Sequence, residues 1–166
     1  MVKMKKVYHR VIATRLPVFS KKAQRKTIVH PKFYYFDVGV YRHLRPRDPL
    51  DTPELIGGVA LETLVYQELR AIIEYYRLDF TLYFWRTVDQ VEVDFILYGP
   101  KGLIAIEVKS SKTIHPSDLR PLQIFKEKYP IAKLYLFYCG KDPIHRGDVE
   151  ILPLSTALSQ LNQYIS

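Results

Sequence analysis

Three charged residues stand out within two largely apolar runs. Asp94 lies inside VEVDFILY (91–98), and Glu107 and Lys109 lie inside LIAIEVKS (103–110). Aspartate is disfavoured in strands, and a buried carboxylate is costly unless a cation or hydrogen bonds compensate it. Two carboxylates and an ammonium on one face can hold a divalent ion through oxygen ligands, a donor set that suits Mg2+ or Mn2+ and not zinc. The chemistry of such a site is attack of water on a phosphodiester. The ion polarises the phosphoryl oxygen and lowers the pKa of the water, and a lysine orients the water or stabilises developing negative charge. Taken alone, Glu-x-Lys on a strand is an ordinary surface ion pair that contributes little. The strand aspartate 13 residues before Glu107, across a glycine turn, is what gives the pair chemical meaning.

The elements that must position these residues follow from period and punctuation. GPKG (99–102) between the two runs is a turn signal, so 91–110 reads as a β-hairpin. Alternation sets Val93, Phe95 and Leu97 on one face of its first strand and Glu92, Asp94 and Ile96 on the other. Glu107 and Lys109 share a face of the second strand. Upstream, RPRDPLDTPE (45–54) is a proline-rich loop, and 53–76 is a helix with Leu61, Leu64, Val65, Leu69, Ile72 and Ile73 at helical spacing, which Gly57-Gly58 are expected to divide into a short turn and a long helix. FTLYFWR (80–86) is a strand, 117–130 an amphipathic helix capped by Ser117 or Asp118 with Pro121 in its first turn, and AKLYLFYC (132–139) a buried strand. EILPL (150–154) is a short strand, and Ser155 starts a final helix. KFYYFDVGVYRHL (32–44) begins strand-like, and residues 1–30 read as irregular. The order predicts an α/β sandwich whose sheet opens with antiparallel strands and continues after a helical crossover.

Composition sets the class. The chain has 166 residues, 48% hydrophobic and 25% charged, which makes one ordinary globular domain. No run approaches the ~20 apolar residues of a membrane span, and the MVKMKK start has no apolar run after it to make a signal peptide. The single cysteine, Cys139, excludes an intrachain disulfide and a cysteine zinc cluster. A cytoplasmic protein with no membrane association is the simplest expectation. The net charge of +8 is uneven. Residues 1–36 hold ten Lys or Arg and no acid, leaving 15 basic against 17 acidic residues in the remainder. That basic arm is the footprint of a protein that meets phosphates, and Lys21, Lys22, Arg25 and Lys26 are its central cations.

These motifs resemble the PD-(D/E)XK nuclease superfamily: an acid on a helix, an aspartate on a strand, a turn, then Glu-x-Lys. The strings PKFYYFDVGVYRHL, GVALETLVYQEL, YFWRT, VEVDFILYG and IAIEVKSS, spread over roughly residues 16–155, are similar to the nuclease-like C-terminal domain of prokaryotic AAA-type ATPases. The resemblance implies a restriction-endonuclease-like fold, three layers α/β/α around a central mixed sheet, with hairpin 91–110 at the active edge. It implies a nuclease-like domain over 31–166 preceded by the arm 1–30. It implies Asp94, Glu107 and the Val108 backbone carbonyl as Mg2+ or Mn2+ ligands, Lys109 as the catalytic lysine, and Glu62 as the helix acid bound to the ion directly or through water, with Glu68 as its rival. Gln123 and Tyr129 faintly match a Gln/Tyr motif of RecB-type nucleases, at a different spacing. The Pro-Asp of the motif is Val93-Asp94 here. No GxxxxGK[ST] occurs, so an ATPase half would be a separate partner or a missing portion of a longer chain.

Arg86, Lys112 and His115 are expected on a positive rim, with Ser110 and Ser111 donating to phosphate or closing the turn. Trp85, Tyr34, Tyr35 and Phe36 read as sheet core before they read as base-stacking platforms, and the five histidines show no metal-ligand spacing. Two functions are carried forward. One is metal-dependent hydrolysis of DNA, branched or structured, by a domain that could pair as a homodimer. The other is a silent nucleic-acid or partner-docking module that keeps the fold.

Overall fold

A computed structural model describes residues 13–20, 31–35, 37–39, 43 and 52–165, with the side chains of 53–55 excepted. Antiparallel strands β1 (Ala13–Leu16) and β2 (Lys32–Tyr35) form a two-stranded ribbon. Helix α1 (Pro53–Tyr75) follows, then β3 (Thr81–Arg86), β4 (Glu92–Gly99), β5 (Gly102–Lys109), α2 (Pro116–Lys128), β6 (Lys133–Tyr138), β7 (Ile144–Arg146), β8 (Val149–Pro153), and short helices α3 (Leu154–Ser159) and α4 (Leu161–Ile165). The main sheet has the order β3-β4-β5-β6-β8-β7. β3, β4 and β5 are antiparallel neighbours, β5-β6 and β6-β8 are parallel, and β7 returns antiparallel on β8. This is an α/β fold around a mixed six-stranded sheet.

The sheet is buried on both faces. Val65, Leu69, Phe84, Phe95, Leu97, Ile106 and Phe137 join Ala157, Leu161 and Ile165 in one apolar layer beneath α1, α3 and α4. Trp85, Val93, Ile96, Ala105 and Leu136 join Leu119, Leu122 and Phe125 of α2 in the other. Near-continuous Ile/Leu/Val/Phe runs in β4, β5 and β6 are what a doubly covered sheet requires. Among the described residues no helix is long and apolar enough to cross a membrane.

Several expectations change in detail. Gly57 and Gly58 do not divide α1, which runs through them without a break. The cap of α2 is His115, whose backbone N–H donates to the Asp118 carboxylate 2.8 Å away, and the helix starts at Pro116, which moves Pro121 past the first turn. Residues 13–20, placed by sequence in an irregular arm, form β1 and a strap across the β3 edge. Phe19 N–H donates to the Phe84 carbonyl at 2.7 Å, and Phe84 N–H donates to the Pro17 carbonyl at 3.0 Å. Leu16 thereby enters the α1-side core while Phe19 enters the α2-side core.

The strict alternation expected in β4 also fails. Tyr83 stands opposite Ile96 but Trp85 stands opposite Val93, so Asp94 and Phe95 together oppose Phe84. This β-bulge puts Val93 on the α2 side with Ile96, and not with Phe95 and Leu97 as alternation predicts. The hairpin itself lies second and third in the sheet, flanked by β3 and β6.

Candidate active site where β4 and β5 part

The pairing of β4 with β5 runs from Gly99–Gly102 to Phe95–Ile106 and stops there. Asp94 and Glu107 are the next residues on each side. Beyond the last pair, the Val108 backbone N–H donates to Asp94 Oδ2 at 3.0 Å, so a side chain replaces a ladder bond where the bulge opens the strands. Asp94 is 7% exposed and Glu107 is 4% exposed. Two carboxylates are therefore buried at one break in the sheet, where desolvation makes negative charge expensive.

Their partners differ. Lys109 Nζ lies 2.8 Å from Glu107 Oε1, while Glu107 Oε2 is buried with no hydrogen-bond partner. Burial pushes the Glu107 carboxyl up to about 8, and neighbouring Asp94 adds to the rise against the pull of Lys109. Lys109 itself is raised: burial opposes its charge, but Glu107, Asp94 and Asp118 together overcome it. On the other side, Asp94 Oδ1 receives the Lys32 ammonium at 3.1 Å. The same Nζ lies 3.3 Å from Glu62 Oε2 and pairs with Glu92 Oε1. Tyr34 Oη donates to Glu62 Oε2 at 3.2 Å, and Arg86 closes on the second oxygen of Glu92. Burial, then Asp94, push the Glu62 carboxyl up to about 7. Lys32 is raised because Asp94, Tyr34, Glu62 and Glu92 together overcome the burial that opposes it.

The residues singled out by sequence are thus partly united. Asp94 meets Glu62 through Lys32, and Glu107 meets Lys109. Glu62 is the α1 acid that joins the cluster, whereas Glu68 forms no ion pair there among the described residues. Val108 engages Asp94 through its N–H. Arg86 is spent on Glu92 and stacks over Phe84, so it does not stand free on a rim. Lys112 and His115 are exposed beyond the end of β5, the latter at the α2 cap. Ser111 Oγ bonds the Thr113 carbonyl at 2.8 Å and closes the turn. Gln123 is exposed and Tyr129 packs on Phe19 and Phe125, so this pair stands apart from the carboxylates. Lys21, Lys22, Arg25 and Lys26 lie outside the described residues.

Lys32, Tyr34 and Glu92 complete the site and were not expected in it. Their signal was an alternation: Lys32 and Tyr34 share one face of a short aromatic strand, and Glu92 shares that of Asp94. Among the described residues no three His, Cys, Asp or Glu side chains are grouped to hold a metal ion. Glu62, Glu92 and Asp94 each turn an oxygen to Lys32. The donor set still fits a hard cation, because it is all oxygen and Glu107 Oε2 is buried without a partner.

A search of curated proteins finds no match to the chain. A family model described as "Domain of unknown function (DUF4143)" matches residues 57–157, which takes in the matched part of α1, the whole six-stranded sheet and every residue of the carboxylate site except those on the β1–β2 ribbon. With more than half of its length matched, the chain belongs to the DUF4143 family.

Proposed function

We propose that the domain is a divalent-cation-dependent phosphodiester hydrolase acting on DNA, built on a restriction-endonuclease-like PD-(D/E)XK frame. The observation that carries this reading is the burial of Asp94 and Glu107 side by side where β4 and β5 part, with Glu107 Oε2 unpartnered. Asp94, Glu107 and the Val108 carbonyl would hold Mg2+ or Mn2+, with Glu62 as the helix acid. When bound, such an ion polarises a phosphoryl oxygen and lowers the pKa of the attacking water. The Val108 N–H fixes the Asp94 carboxylate, leaving Oδ1 to face the cluster. Lys109 is anchored on Glu107 and offers its remaining protons to a phosphate oxygen or to the water. The occurrence of DUF4143 in AAA-type ATPase-associated proteins makes an ATPase the partner this reading favours.

A second reading has its own observation. Lys32 occupies the carboxylate cluster, which suits a docking module that keeps the fold and holds DNA or an ATPase without cleaving. Calorimetric titration of Mn2+ and Mg2+ into wild type and Asp94→Ala, with plasmid and branched-DNA cleavage on the same samples, separates the two. Hydrolysis predicts metal binding and cleavage that both vanish in Asp94→Ala. A wild type that binds no metal and cleaves nothing, yet retains DNA, sinks the hydrolase reading and leaves the docking module.

A further inference from the structure

The Lys32 ammonium is itself a cation held by carboxylates. It contacts Asp94 Oδ1 at 3.1 Å and Glu62 Oε2 at 3.3 Å and pairs with Glu92. The other Asp94 oxygen, Oδ2, already accepts from the Val108 N–H. An ion bound through Asp94 Oδ1 and Glu62 Oε2 would share its ligand atoms with an ammonium a few ångströms away, and like charges at that distance in a partly buried site exclude one another. A second, independent feature shows that the cluster is short of positive charge even with Lys32 in place. Glu107 Oε2 is buried without a partner beside Asp94, and Glu62, Glu92, Asp94 and Glu107 outnumber Lys32, Arg86 and Lys109.

Lys32 is also delivered by an element built for placement. It opens β2, which pairs with β1 from Leu16–Lys32 to Ala13–Tyr35. β1 continues into the strap that crosses the β3 edge at Phe84. Tyr34, two residues on, stacks on Tyr66 of α1 at 4.7 Å between ring centroids and donates to Glu62. The backbone that carries Lys32 is therefore fixed on both sides, while its side chain is a four-carbon stem that can swing without moving the ribbon.

We propose that Lys32 is a tethered inhibitory cation, which fills the position a divalent cation takes between Glu62 and Asp94 and must swing out before the site can load. This rests on the hydrolase reading above and assigns its regulation to the β1–β2 ribbon. Anything that draws the lysine away, such as a phosphate backbone or a partner acting on the ribbon, opens the site.

The test measures Mn2+ affinity by calorimetry for wild type, Lys32→Met, Lys32→Arg and Asp94→Ala. If the ammonium fills the cluster in nine of every ten molecules, its removal tightens binding about tenfold, because apparent affinity scales with the competent fraction. Lys32→Met is expected to bind about tenfold more tightly than wild type, Lys32→Arg no more tightly, and Asp94→Ala not at all. Equal or weaker binding by Lys32→Met, with Asp94-dependent binding by wild type, overturns the inhibitory role and leaves the metal site standing. Binding by none of the proteins overturns both. Should Lys32→Met fail to fold, wild type alone decides. Acetylation of Lys32, followed by mass spectrometry, is expected to rise several-fold at saturating Mg2+, and an unchanged rate overturns the proposal.

Discussion

At the scale of single residues, the site stores unfavourable charge. Glu107 and Glu62 have carboxyls pushed up to about 8 and about 7, by burial first and by Asp94 second. In the unfolded chain both ionise near the ordinary 4.5. Between about pH 5 and pH 8 the folded state thus holds protons that the unfolded state has released, so stability falls as pH rises through that window. Lys32 and Lys109 are raised and stay charged across it, and do not reverse the sign. Metal-free wild type is therefore expected to have a lower Tm at pH 8 than at pH 5.5. Glu107→Gln removes the larger of the two ionisations. It should flatten the dependence and raise Tm at pH 8 by several degrees, with each kcal/mol worth about 2–4 °C for a chain of this length. Thermal melts of both proteins across the window check this, and parallel curves would show that Glu107 carries none of the slope. On the proposed function, lower stability when empty and ionised is what a buried carboxylate pair costs.

At the scale of elements, the hairpin is the piece on which everything depends, and its tightest point is Gly99. A Cβ there would lie 1.9 Å from the Asp79 carbonyl oxygen, a backbone atom in the turn before β3 that has no side chain to swing aside. Across the two-residue turn, Gly102 has φ +135, a conformation that other residues rarely adopt. Gly99→Ala is expected to destabilise by at least ~1–3 kcal/mol, the usual cost of forcing atoms into a packed position. Urea unfolding followed by far-UV circular dichroism would show it, and an unchanged midpoint would mean that β3 and β4 are not this close. This hairpin was legible in the sequence because turn chemistry and apolar runs are local signals, as were α1, α2 and β6. β1 and β7 were not, since strands of four and three residues take their structure from a partner and not from their own pattern. The bulge at Asp94 was hidden for a related reason: it exists only in the register of β4 against β3. Glu107 and Lys109 were readable as a pair because two residues of one strand must share a face. Lys32 was not readable as a member of the site, because it meets Asp94 across 62 positions and looked like one more cation of a basic segment.

At the scale of the whole molecule, charge is segregated. Ten basic and no acidic residues occupy positions 1–36, and the remainder carries 17 acids against 15 bases. The carboxylate cluster repels phosphate, and Arg86 does not offset it, because it is committed to Glu92. A DNA-binding role therefore needs its attraction from elsewhere, and the dense run SKKAQRK (20–26) is the segment able to supply it. Each phosphate neutralised releases condensed counterions and steepens the dependence of log K on log salt by about 0.9 on duplex DNA. Replacing Lys21, Lys22, Arg25 and Lys26 with alanine is expected to flatten that slope by up to about 3.6, if each meets one phosphate. On the proposed function, DNA affinity at low salt should fall steeply, while Mn2+ affinity, which that proposal assigns to Asp94 and Glu107, stays at the wild-type value. Fluorescence anisotropy with a labelled duplex from 50 to 200 mM salt, roughly the range over which such contacts dominate, measures the slope, and calorimetry on the same protein measures the metal. An unchanged slope would move the phosphate contacts to Lys112 and the loop after β5. A slope that falls while metal affinity rises would mean that the arm also positions the ribbon that carries Lys32, because that ribbon's second strand begins six residues after Lys26.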